Sequence, residues 1–313
     1  DDENHVMYVW IDALTNYLTS CGFPGFNAQD YKNFWQSGTP DHVVGKDILR
    51  FHAVYWPAFL MAAELPLPAK IIAHGWWTIE GEKMSKSLGN VVSPRELIEA
   101  YGLDQTRYFL LKAMPFGNDG DLSKDRIVEI CNADLANNIG NLAQRILSMI
   151  QKNCEGKVPE HSEFISANDF DDNNILIMCR SALRSDRYNF RKMMEKFDFI
   201  EMLRAIISLA GEANEYIDAQ APWKLKKENP ERMKTVLYVL ADTIRQLAIL
   251  LQPFCPQASA KILDQLSIPQ DKRMFENIID ESSRLKPGTF LPKPEGVFPR
   301  LEPVELNQDI KEL

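Results

Sequence analysis

A chain of 313 residues with 45% hydrophobic and 10% aromatic side chains can bury a sizeable core, in one large domain or two ordinary ones. Its net charge of −9 excludes a protein that grips nucleic acid through bulk positive charge, so any nucleic-acid site has to be local. No membrane role is expected, since the apolar stretch Val54–Ala63 is too short for a bilayer, and five scattered cysteines without a CxxC or Cys/His pairing suit a reducing cytoplasm.

Only five residues precede Val6-Met7-Tyr8-Val9-Trp10-Ile11, an apolar, β-rich run that predicts a buried strand, and no initiator Met stands before it. The expectation is a chain that begins inside a domain. Up to about Phe116, strand-like runs (His42 to Gly45, Lys70 to His74) alternate with a helical one (Ile48 to Ala63), which predicts an α/β layered domain with a parallel sheet. After Asp121 the pattern turns helical, with helices expected near 124–152, 171–185, 187–219, 231–252 and 256–266. The stretch from Lys286 to Pro303, rich in Pro and Gly, predicts an extended tail over the surface. The expected division is an α/β domain over residues 1–118, an all-α bundle over 119–285 and the tail over 286–313.

The chemistry concentrates in Lys83-Met84-Ser85-Lys86-Ser87, which follows His74-Gly75 and lies between Gly81 and Gly89. Two lysines and two serines in a glycine-flanked loop offer mobile cations and hydroxyl donors to a polyphosphate. A solvated Lys/Ser loop is the ordinary alternative for an arbitrary pair of lysines. This pentapeptide, however, resembles the undegenerated KMSKS signature of class I aminoacyl-tRNA synthetases, placed after a strand ending in His-Gly as in that family. The resemblance implies a Rossmann-type parallel sheet and a reaction in which an amino-acid carboxylate attacks the α-phosphate of ATP, supplied with Mg2+. Lys83 and Lys86 would act on the departing pyrophosphate by positioning and charge, and His74, Gly75, Met84, Ser85 and Ser87 would complete the ATP site. For His74 a purely structural place at the strand end is an equal alternative.

Two earlier segments bear on the amino acid. In Tyr8 to Tyr17 a strand is expected to turn into a helix after Asp12, so that Trp10, Ala13 and Tyr17 converge near the strand end. In the second segment Asp47 is the expected N-cap of a helix, on which Ile48, Phe51, His52, Tyr55, Trp56 and Phe59 fall on one face. An ordinary core helix with one hydrogen-bonded histidine is the bland alternative. Yet tryptophans with a Tyr hydroxyl and a His nitrogen suit a polarizable thioether. Both segments resemble the methionine-binding strand and helix of methionyl-tRNA synthetases, which implies that Trp10, Ala13, Tyr17, Asp47, Ile48, Phe51, His52 and Trp56 surround L-methionine. The valyl, isoleucyl, leucyl and cysteinyl enzymes would compete if the pentapeptide alone matched.

In the helical half, Asn137, Asn141 and Arg145 are spaced i, i+4, i+8, a polar ridge about 12 Å long on a regular helix, although helical Asn and Arg usually face solvent. Trp223 follows Pro222, which suits a first helical turn, and is either tucked beneath the entering chain or free to stack on an unpaired base. These segments resemble the anticodon-reading elements of methionyl enzymes, which implies tRNA(Met) as partner. The HIGH signature and the connective insertion of that family are absent, and His42 and His52 do not replace it, since neither sits in an HIGH-like turn. The chain is expected to be a fragment whose other partner is the missing N-terminal half, to carry no metal ligands, and to be inactive alone. A tRNA-binding module without catalysis is the second reading, against which Lys83, Lys86 and the aromatic residues weigh.

Overall fold

The computed structural model describes residues 4–25, 27–38, 40–79, 81–84, 90–161, 170–184 and 189–304. Small sheets and predominantly helical segments divide into two compact units, one formed by Asp1–Thr78 with Phe116–Gly120 and the other by Ile79–Pro115 with Asp121–Leu313. Among the described residues no helix is long and apolar enough to cross a membrane, and the five cysteines are free.

The first unit opens with helix α1 (Trp10–Thr19), which buries Leu14 and Leu18. Strand β1 (Asp41–Gly45) alternates, with His42 and Val44 inward. It leads into a helical stretch made of a 3-10 turn (Lys46–Ile48), a π turn (Phe51–Tyr55) and helix α2 (Trp56–Ala62). Strand β2 (Lys70–His74) pairs in parallel with β1, in the register Asp41↔Lys70 to Gly45↔His74. Leu14, Leu18, Tyr31, Trp35, Trp56 and Leu60 form the core, with Trp10, Tyr17 and Phe51 partly buried at its edge. Further short strands are β3 (Trp77–Ile79), β4 (Glu82–Lys83) and β5 (Gly120–Asp121).

The run from Val6 to Ile11 is not a buried strand: Val6 and Met7 are 94% and 90% exposed, and α1 starts at Trp10 rather than after Asp12. A strand needs a hydrogen-bonding neighbour, and among the described residues β1 and β2 pair with each other and not with this run.

In the second unit, α3 (Pro94–Tyr101) begins at a capping box: the Arg95 N–H donates to Ser93 Oγ, and the Ser93 N–H donates to Glu96 Oε2. Next come α4 (Leu103–Lys112) and α5 (Lys124–Cys131), which runs through a π segment (Asn132–Gly140) into α6 (Asn141–Asn153). Helix α7 (Phe170–Arg184) follows. The single helix expected over 187–219 is two, α8 (Phe190–Glu195) and α9 (Phe199–Gln220). The break sits at Phe197, whose φ of 59° ends α8, and Asp198 caps α9 by accepting from the Glu201 N–H. Helices α10 (Pro222–Glu228), α11 (Pro230–Leu251), α12 (Pro256–Gln265) and α13 (Glu276–Ile279) complete the unit. From Thr235 to Leu251 every residue of α11 is buried, so α11 is the central helix. Among its inward polar groups, Arg245 pairs with Asp242 at 2.7 Å and the Gln246 side-chain amide donates to the Leu176 carbonyl at 3.0 Å.

The tail is extended but anchored. The Gly288 and Leu291 N–H groups donate to the Val158 and Gly156 carbonyls, Leu291 and Phe298 are buried, and Leu301 exchanges two hydrogen bonds with the Asn132 side chain.

Candidate functional site

The carboxyl ends of β1 and β2 meet at Gly45 and His74, and the helical stretch after β1 turns straight back beside α1. That return brings Trp10, Tyr17, His42, Phe51, His52 and Trp56 into one aromatic cluster. The Trp10 ring stacks on Phe51 at 3.9 Å between centroids, with His52 edge-on to Trp10 at 6.4 Å. The Ile48 carbonyl can only accept, so at 2.9 Å His52 Nδ1 is the donor to it. His52 Nε2 then accepts the Tyr17 hydroxyl at 2.8 Å, and burial raises the Tyr17 pKa, keeping that hydroxyl a donor. Likewise the Trp56 indole N–H donates to His42 Nε2 at 3.1 Å. Burial holds the His42 pKa below its ordinary value, His52 lowers it further and Asp41 opposes them, which keeps the accepting nitrogen unprotonated.

Tyr17 and Phe51 are half-buried, while Ala13 and Asp47 are exposed and Ile48 lies between those extremes. Asp47 does not cap the helix. It lies inside the 3-10 turn, the chain enters through Gly45, and no side chain makes a cap bond there. The stripe of one regular helix over residues 48–59 is likewise interrupted by the π turn at Phe51–Tyr55, which buries His52 and Trp56 while leaving Phe51 and Tyr55 partly accessible.

At the strand ends, His74 Nδ1 donates to the Gly75 carbonyl at 2.9 Å. Beside it Lys46 Nζ lies 3.9 Å from the centre of the Trp76 ring and pairs with Asp119 at 2.5 and 2.7 Å. Asp119 also accepts the Trp76 N–H at 2.8 Å. Gly75 is required by close approach, because a Cβ there would fall 1.9 Å from the Asn118 carbonyl oxygen. In the second unit, Lys83 ends β4 and Met84 follows; the Lys83 carbonyl accepts from Asn90 Nδ2 at 3.2 Å. Ser85, Lys86 and Ser87 lie outside the described residues.

On the helical unit the structure brings Arg145 and Trp223 together. Arg145 lies 5.5 Å from the Trp223 ring centre and pairs with Asp218 at 2.9 Å, while Trp223 is 45% exposed. Pro222 opens α10, and Ala221 before it takes the left-handed conformation (φ 43°, ψ 59°), which sets the direction of the turn carrying Trp223. Asn137 and Asn141 are exposed. Asn137 lies in the π segment, and Asn141 and Arg145 lie one step of four apart on α6. The neighbouring Asn138 is structural: it donates to the Ile207 carbonyl at 3.3 Å and accepts from Asn214 at 2.7 Å.

Residues 1–147 match the family profile described as tRNA synthetases class I (M), and residues 175–310 match that described as anticodon binding domain of methionyl tRNA ligase. A methionine–tRNA ligase of Brucella suis biovar 1 (strain 1330) is 52% identical over 299 residues, which are 96% of this chain and 56% of that protein. The chain belongs to the methionyl-tRNA synthetase family. A methionine–tRNA ligase of Mycobacterium leprae (strain TN) is 48% identical over 307 residues, 97% of this chain and 55% of that protein. Among solved structures, the apo form of Mycobacterium tuberculosis methionyl-tRNA synthetase superposes with a TM-score of 0.84 at 43% identity, over 97% of this chain and 58% of that one. The same enzyme bound by methionyl-adenylate gives 0.86 at 45% identity, over 96% and 57%. The chain therefore spans about half the length of the methionyl-tRNA synthetases it matches. Motif reasoning in this family does not single out His42, Lys46, Asp119 or Asp218. Asp119 and Lys46 stand 73 residues apart, as do Arg145 and Asp218, and only the fold joins such pairs. For His42 a signal existed, a histidine at an inward position of an alternating strand.

Proposed function

We propose that this chain is the carboxyl-terminal part of a methionine–tRNA ligase, which activates L-methionine with ATP, as its Mg2+ complex, and transfers it to tRNA(Met). The observation that carries this reading is the aromatic cluster closed by the Tyr17–His52 bond at the carboxyl ends of two parallel strands. Trp10, Ala13, Tyr17, Asp47, Ile48, Phe51, His52 and Trp56 are the proposed surroundings of methionine. Polarizable sulfur packs well on such rings. His74 and Gly75 are the proposed contacts of the adenosine, and Lys83, Met84, Ser85, Lys86 and Ser87 those of the phosphates. The methionine carboxylate oxygen attacks the α-phosphorus of ATP, the bond to the bridging oxygen breaks, and pyrophosphate leaves with the bonding electrons. A hydroxyl of the tRNA terminus then attacks the adenylate carbonyl, and AMP leaves.

Residues 1–118 are proposed as the second half of a Rossmann-type catalytic domain, 119–285 as the anticodon-binding bundle and 286–313 as the tail, in a cytoplasmic enzyme whose N-terminal half supplies the rest of the phosphate site. The Arg145–Trp223 pair, a cation beside an exposed indole, supports base stacking in the anticodon loop, with Asn137 and Asn141 available for base edges. The test is methionine-dependent exchange of pyrophosphate into ATP by the full-length protein, followed by charging of tRNA(Met). Exchange driven equally by valine, isoleucine or cysteine, or no exchange, overturns the proposal. The 313-residue chain alone should give no exchange above a Lys86→Ala control.

A further inference from the structure

His42 is 5% exposed and sits among the rings rather than at their edge. Its ring lies 4.3 Å from Tyr17 of α1, 5.9 Å from Trp35 and 5.9 Å from His52 of the π turn, and its Nε2 accepts the indole N–H of Trp56. Trp56 is itself 2% exposed, so without that acceptor its N–H would be stranded away from water. The neighbouring aromatic donors are settled in the same manner: the Tyr17 hydroxyl on His52, and the Trp35 N–H on the Pro66 carbonyl at 3.0 Å. An apolar side chain at this inward position of β1 would fill the core equally well, but it would release the indole. What the histidine adds is direction, because one imidazole nitrogen fixes the rotation of Trp56 while the ring face braces Tyr17.

We infer that His42 is a positioning residue for the amino-acid side of the proposed reaction, holding Trp56 and Tyr17 in the arrangement that receives the methionine side chain. The inference rests on the function proposed above, and it goes further by giving the shape of the site to a residue outside the proposed methionine contacts. Besides the rings already named, the charged group nearest in sequence is Asp41, on the same strand. The prediction concerns orientation of the rings, so its mark is a defect in methionine binding without a matching defect in the chemical step.

The experiment uses the full-length protein with three variants. His42→Phe keeps an aromatic ring and removes the acceptor; His42→Gln keeps an acceptor of similar reach, and His42→Asn carries the same amide on a shorter arm. In pyrophosphate exchange His42→Phe should raise the KM for methionine about tenfold or more, with kcat and the KM for ATP held within about threefold. His42→Gln should recover most of the methionine KM, and His42→Asn should not. An unchanged methionine KM in a His42→Phe protein that melts like wild type overturns the role. Parallel losses of kcat, both KM values and melting temperature in all three variants also overturn it, in favour of a merely structural histidine. If His42→Phe does not fold, the Gln and Asn variants decide, and equal methionine KM values for those two overturn it. A wild-type protein without methionine-dependent exchange would instead remove the proposed function itself.

Discussion

The Arg145 guanidinium lies 5.5 Å from the centre of the Trp223 ring while holding Asp218 at 2.9 Å. The ion pair is well exposed, so it contributes about 0–1 kcal/mol to stability and acts chiefly to aim the guanidinium. The indole, 45% exposed, is likewise poorly placed to serve as core.

Trp223→Ala in the full-length protein should therefore impair charging of tRNA(Met) and spare adenylation. Stacking of a base on an aromatic ring is worth roughly 1–3 kcal/mol, which corresponds to a loss of about 5- to 150-fold in kcat/KM for charging. Pyrophosphate exchange and melting temperature, measured on the same preparation, are the controls. Equal loss of both activities with a lowered melting temperature would return Trp223 to a structural role.

Lys86→Ala should depress the exchange rate far more than it weakens methionine binding. Removal of one preorganised charge contact in a transition state costs on the order of 3 kcal/mol, about a hundredfold in rate. A variant whose single defect is a raised methionine KM contradicts the role given to Lys86.

Gly75→Ala should destabilise the first unit. The new methyl group would meet backbone atoms, the Asn118 carbonyl oxygen at 1.9 Å and the Asp119 nitrogen at 2.8 Å, and backbone cannot swing aside as a flexible side chain does. Overpacking of this kind costs about 1–3 kcal/mol, and displacement of Asp119 would also disturb its pairing with Lys46. Urea unfolding should show a lowered midpoint; an unchanged midpoint would mean that the 116–120 segment yields freely.

Acidification should weaken the first unit through His42. Its folded pKa lies below the ordinary 6.5, chiefly through burial, so the unfolded chain takes up a proton before the folded chain does. The stability contributed by the neutral imidazole is fully present above pH about 6.5 and is lost as pH falls from there through the folded pKa. His42→Gln cannot titrate, so its melting temperature should fall less steeply than that of wild type between about pH 7.5 and 5.5. Parallel lines for the two proteins would show that His42 does not couple protonation to folding.

The sequence was informative where the local pattern and the fold agree. Strands β1 and β2, the buried helix α11 and the Pro222 start of α10 all follow local rules, and the fold does not override them. The pentapeptide that starts at Lys83 is legible through its resemblance to the KMSKS signature, which rests on residue identities and not on backbone conformation. Other features depend on energies that no short window contains. The apolar run at Val6 has strand composition but no ladder partner among the described residues, and the stop at Phe197 uses a left-handed backbone on a non-glycine residue. The environment of Lys46 is made by Asp119 and Trp76, which arrive from later in the chain.

The reciprocal hydrogen bonds between Asn132 and Leu301 join residues 169 positions apart, at 2.9 and 2.8 Å. Together with the pairing of Gly288 and Leu291 to the 156–158 segment, they give the helical unit a timetable during synthesis. Helices α5 to α12 can gather as each emerges from the ribosome, since neighbours such as α10 and α11 are local in sequence. The side chain of Asn132 nevertheless waits for Leu301, 169 residues later, before its amide is satisfied. Until then a nascent chain holds the bundle without its strap, and the surface that Leu291 and Phe298 will cover stays open to chaperones and to other nascent chains.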